Sequence, residues 1–172
     1  MHIIVMILAV ATLTEAQIDV EVDRMVRMRH PKAADAIEVR LKRNGVSNEQ
    51  IVDSLKRLRY KHKDAKEGSL DYNVRVHAIY HLAHFASDEE VEELIKIAEN
   101  EDAYMGGIAI GQYFKRHNGD EKALVQADKF LNNPNVSPEI KNSIWYRVDE
   151  LVREGKGDDV RRMNDFKKRH GR

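Results

Sequence analysis

Three histidines, His77, His81 and His84, carry the spacing most suggestive of chemistry, four and then three residues apart. On an α-helix they fall within an arc of about 60° and share a face. Two imidazoles four apart can hold one zinc or copper ion, although a durable site needs further ligands and no His-Glu-x-x-His arrangement is present. Three clustered imidazoles would also repel one another once protonated near about pH 6, which would make the face pH-responsive. The stripe Val74, Ala78, Leu82 and Phe85 runs beside them, so a packed helix bordered by histidines and Tyr80 accounts for the same pattern. His77, His81 and His84 are therefore the candidate metal residues, and no cofactor is expected.

Other polar motifs are weaker. The run Gly106-Gly107-Ile108-Ala109-Ile110-Gly111 has the glycines of a phosphate loop, but Gln112 and Tyr113 stand where Lys and Ser or Thr are needed, and no apolar strand precedes it. Gly107 and Gly111, four apart on one helix face, instead let a neighbouring helix approach closely. The basic stretch Lys56, Arg57, Arg59, Lys61, Lys63 and Lys66, with Tyr60 and His62 between, has the composition of a phosphate-contacting surface. No serine, histidine and acid form a recognisable triad, so an enzyme is not expected. Asn135-Val136-Ser137 is a formal glycosylation sequon directly followed by Pro138.

The elements that would position these residues are helices. Apolar residues recur at three and four, as in Ile51, Leu55 and Leu58, or Val91, Leu94, Ile95 and Ala98. Ser47 with Gln50 and Ser87 with Glu90 have capping-box spacing; Ser137-Pro138 marks another start; Gly45, Gly68, Gly119 and Gly155 stand where left-handed caps would end helices. The pattern predicts helices near 18–29, 32–43, 48–66, 70–86, 88–99, 103–117, 120–132, 138–154 and 158–169.

From residue 70 the helices repeat. Val74, Ala78 and Leu82 align with Met105, Ala109 and Tyr113, and then with Ile140, Ile144 and Val148. A helix pair cannot bury both faces alone, so neighbouring pairs must stack. Val74-Arg75, with Ala78 and Leu82 following, resembles the first helix of HEAT-like repeats; Gly106 and Lys141 replace Arg75 in the later units, and Ile144 replaces the small alanine. The resemblance implies an all-α fold, a right-handed α-α superhelix of antiparallel helix pairs, with about three pairs over 70–172 and a helical cap over 18–66. It also implies a protein-interaction or scaffold role. Some HEAT-like proteins are DNA glycosylases that use aromatic and acidic residues in a concave cleft, to which Trp145, Tyr146 and Asp149 bear a faint similarity.

Composition sets the remaining bounds. The 172 residues are 34% charged and 42% hydrophobic and contain no cysteine, which excludes disulfides, a thiol nucleophile and thiolate metal sites. The uncharged run Ile3–Leu13 is too short to span a bilayer and has the length of a secretory-signal core; Thr14-Glu15-Ala16 suggests cleavage after Ala16, although Met1-His2 offers no basic residue. The expectation is thus a signal peptide over 1–16, a single domain over 17–172, secretion or residence in a periplasm, and no stable membrane span once the leader is removed. Were the N-terminal segment retained, a cytoplasmic location would follow. The formal net charge of zero conceals blocks, +8 over residues 24–66 and −8 over 67–103. Along the second helices of the pairs the charged residues pass from Glu89, Glu92 and Glu93 through Lys122 and Lys129 to Arg161, Arg162 and Lys168. The expected function is non-enzymatic binding of a protein or peptide along that gradient. Nucleic acid is not the expected partner; a DNA-binding HEAT-like protein and a metal-binding histidine face are the competing readings.

Overall fold

The computed structural model describes residues 12–28 and 30–172. Among these residues the chain is all-helical, without strands: α1 (Glu15–Arg27), α2 (Pro31–Arg43), α3 (Asn48–Lys61), α4 (Leu70–Phe85), a 3-10 turn (Glu90–Glu92), α5 (Glu93–Asn100), α6 (Ala103–Arg116), α7 (Glu121–Asn132), α8 (Pro138–Glu154) and α9 (Asp158–Arg169). None of the described helices is long and apolar enough to cross a membrane. The apolar run at the extreme N-terminus lies largely outside the described residues. The chain divides into two compact units, one ending at Ala78 and the other running from Ile79 to Arg172, so the division falls inside α4.

In the first unit α1 packs on both α2 and α3. Ile18, Val22, Met25 and Val26 form the buried stripe of α1 and meet Ile37 and Leu41 of α2 and Ile51, Val52 and Leu55 of α3 in one apolar core. A polar tie fixes the α1–α3 register: the Ser54 hydroxyl and the Arg57 guanidinium donate to Asp19, at 2.6 and 2.7 Å, and Arg57 also reaches Glu15 at 2.9 Å. Burial works against the Asp19 charge, but the Arg57 and Ser54 hydrogen bonds and the positive charges of Arg57 and Lys61 outweigh it, holding the carboxyl below its ordinary range.

Helix starts follow the chemistry of their caps. Ser47 and Gln50 cap each other's backbone before α3, Ser87 and Glu90 do the same before the 3-10 turn, and Ser137 caps α8 ahead of Pro138. Asp102 and Asp120 cap α6 and α7, which begin within a residue of the expected positions although the sequence pattern marks neither cap. Thr14 and Gln17 form a further capping box that starts α1 at Glu15, three residues before the expected position. The expected cleavage bond after Ala16 therefore lies inside the first turn of α1. At the other end of the chain, Gly155 does not adopt the left-handed conformation expected of it: its φ is −73°, and Gly157, at φ +56°, takes the positive angle before α9.

In the second unit α6 packs on α5 and α8, and α8 also packs on α7 and α9. The aligned positions of the repeat, Met105, Ala109, Tyr113, Ile140, Ile144 and Val148, are all buried here, as Val74 and Ala78 are in the first unit and Leu82 in the second. Glycine sets the α6–α8 spacing. A Cβ at Gly106 would stand 2.8 Å from Ile140 Cδ1, and one at Gly107 2.8 Å from Ser143 Oγ, closer than carbon side chains tolerate. Of the two glycines expected to admit a neighbouring helix, Gly107 does so, together with Gly106, whereas a Cβ at Gly111 would meet only the Arg147 Nε at 3.6 Å; each glycine costs about 1 kcal/mol of helix propensity.

Candidate functional site

Beside the α6–α8 approach lies a groove of about 360 Å³ in the second unit. Gly107 and Gly111 line it, and three tyrosines stand around it: Tyr80 from the second half of α4, Tyr104 from the start of α6 and Tyr146 from the middle of α8. Their exposures of 45%, 56% and 59% are high for such large rings, and they account for three of the most exposed aromatic side chains described. Polar groups complete the rim: Gln112, Glu139, Asn142, Ser143 and Arg147. Arg147 is held by Glu150 one turn along α8 and lies over the Tyr146 ring, 5.4 Å from its centroid. Burial pushes the Tyr80 phenol up, the neighbouring Tyr104 phenol pushes it the same way, and the Arg147 guanidinium pulls it back. Tyr80 therefore feels groups from both α6 and α8.

The repeat register explains why these residues converge. Tyr80, Gly111 and Tyr146 each lie two residues after the aligned positions Ala78, Ala109 and Ile144. The glycine falls between two tyrosines at one register, so the gap above it is flanked by rings. Tyr104 and Glu139 likewise share the register one residue before Met105 and Ile140. Alignment of the repeats alone carries this signal, and it lies on their exposed face, whereas the expected core stripe lies on the buried one.

The charged residues expected on the second helices are dispersed. Glu89 is exposed, Glu93 is half-buried and pairs with Lys96 at 3.3 Å, and Glu92 accepts a 3.0 Å hydrogen bond from Tyr113. Lys122 is exposed on α7, and Lys129 lines a separate cleft of about 450 Å³ with Phe130 and Ser137. Only Arg161, Arg162 and Lys168 come together, on a groove of about 890 Å³ between α7 and α9 floored by Leu124 and Phe166. Each is paired with a carboxylate of its own helix, Asp158, Asp159 and Asp165 respectively, and Arg162 also donates to the Gly119 carbonyl at 2.9 Å. Their positive field is correspondingly muted.

The histidines do different things. His77, in the first unit, places Nδ1 3.1 Å from the Val26 carbonyl. In the second unit His81 stacks along Phe85, with ring centroids 6.3 Å apart, and His84 meets the same ring edge-on at 4.6 Å. Among the described residues no three His, Asp or Glu side chains are grouped so as to hold a metal ion. The basic stretch is partly engaged: Arg57 by the α1 carboxylates, Lys63 over the Tyr60 ring at 4.8 Å, and His62 with Asp71 at 3.3 Å, while Arg59 is buried. Trp145, Tyr146 and Asp149 do not converge either. Trp145 packs against Phe166 and His170, Asp149 pairs with Lys167 at 2.7 Å, and only Tyr146 faces the groove.

No protein-family model, curated protein or solved structure matches the chain.

Proposed function

We propose that this protein is a non-enzymatic, HEAT-like helical-repeat scaffold that binds a protein or peptide, and that the groove over α6 and α8 is its binding surface. The observation that carries the reading is the convergence of Tyr80, Tyr104 and Tyr146 on one glycine-lined groove. Tyrosine and arginine dominate the energetic centres of protein interfaces, because they supply large, stiff, amphipathic area at low entropic cost. Burial at the aligned repeat positions supports the stacked-pair part of this reading. The α7–α9 groove is the weaker candidate, since its cations are matched by carboxylates on the same helix. The apolar run at the N-terminus supports secretion or a periplasmic location, which the intact mass of the purified protein's N-terminus tests directly.

A random peptide-display selection against the full chain tests the binding reading. Ligands should be recovered that lose binding to a Tyr104→Ala, Tyr146→Ala double variant whose far-UV circular dichroism is unchanged. Recovery of no tyrosine-dependent ligand would remove the proposal.

A further inference from the structure

The groove is chemically selective. Its three exposed tyrosines come from three different helices, α4, α6 and α8, and share one opening. The amide groups of Gln112 and Asn142 and the Ser143 hydroxyl line the same groove and offer donors. The charge balance is also specific. Arg147 is neutralised by Glu150, the rim holds no lysine, and Glu139 has no ion-pair partner among the described residues. The groove therefore has a slight negative surplus, which disfavours phosphates and favours a ligand with a basic group.

Resting on the peptide-binding reading above, we propose that the groove takes a proline-rich segment in the extended polyproline II conformation, with a basic residue of that segment set against Glu139. Such a segment has no internal backbone hydrogen bonds, so each carbonyl stays available to side-chain donors such as Gln112 and Asn142. Its pyrrolidine rings are compact and stiff and pack their C–H groups on tyrosine faces, and its backbone is ordered before it binds, so little entropy is lost on docking. Gly107 and Gly111 in the groove lining leave room for the close approach of this narrow helix. A folded amphipathic helix would require a deep apolar trench, and the polar rim does not provide one.

The test is a fluorescence-anisotropy titration of the full chain with a labelled synthetic peptide of repeated proline pairs containing one arginine. Two comparison peptides replace the prolines by alanine or the arginine by glutamine. The proline peptide should bind saturably, and both the alanine peptide and the Tyr104→Ala, Tyr146→Ala variant should bind at least about tenfold more weakly. Glu139→Gln should weaken the arginine peptide by roughly threefold, consistent with an exposed ion pair, and leave the glutamine peptide unaffected. Equal affinity for the proline and alanine peptides would overturn the ligand class, as would tyrosine-dependent binding of a single-stranded oligonucleotide in preference to the peptide. Display ligands that need the tyrosines but lack proline would overturn the ligand class and leave the peptide-binding reading standing. If no display ligand depends on the tyrosines, both are overturned.

Discussion

The Tyr113 hydroxyl, almost wholly enclosed within the second unit, donates to the Glu92 carboxylate at 3.0 Å. Burial and then the Glu92 hydrogen bond and charge push the phenol far above its ordinary value. In the unfolded chain it would titrate near about pH 10. Its folded form binds its proton more tightly, so the stabilisation is complete below that pH and falls away as pH rises above it. Denaturant melts should show stability declining above about pH 10 in the native chain. Tyr113→Phe should flatten that slope and cost about 1–2 kcal/mol at neutral pH, because Glu92 loses its donor.

Asp19 gives the opposite dependence. Its carboxyl is held below the ordinary value, so its contribution is present above about pH 4, the unfolded value, and is lost as pH falls through the lower folded value. Asp19→Ala also strips the buried Ser54 hydroxyl of its acceptor and should cost about 1–3 kcal/mol near pH 7. The penalty should shrink in melts at progressively lower pH. An undiminished penalty at acid pH would show that the Asp19 charge is not the source.

Two glycines of α6 should respond in opposite directions. Gly106→Val drives carbon into Ile140 and toward the Ala98 carbonyl, and should destabilise the chain by about 1–3 kcal/mol. Gly111→Ala meets only the Arg147 Nε at 3.6 Å and should raise stability by up to about 1 kcal/mol through helix propensity. Thermal melts of both variants, compared with the parent chain, check the contrast.

The start of α1 can be tested by truncation. A chain beginning at Gln17 lacks the Thr14 cap and the Glu15–Arg57 ion pair, whereas one beginning at Thr12 keeps both. The shorter chain should be less stable by about 1 kcal/mol, lowering the melting temperature by roughly 2–4 °C. Equal melting temperatures would mean that the capping box contributes nothing in solution.

Helix order was legible because local signals suffice for it: serine caps, proline at a first turn and a three-to-four apolar period. The end of α3 was not. The basic residues after Lys61 are good helix formers, and the periodicity runs on to Lys66, but the Arg75 guanidinium takes the Lys63 carbonyl at 2.9 Å and the helix stops at Lys61. An interaction from twelve residues away decides it. The candidate site was hidden for a related reason. Tyr80, Tyr104 and Tyr146 belong to three helices and share no local motif, whereas the charged residues that did attract attention are largely consumed by neighbours, as Glu92 is by Tyr113 and Arg162 by Asp159.

The glycines between α6 and α8 also set how a ligand can be accommodated. A cleft floored by side chains can deepen when one of them changes rotamer, as flexible methionine-lined surfaces do. Here the bed is the main chain of α6, held against α8 by the direct approach of Ile140 and Ser143 to Gly106 and Gly107. Induced fit is therefore confined to the tyrosine rim. Ligands that differ in thickness should be discriminated sharply, while ligands of one thickness that differ in length should bind almost alike.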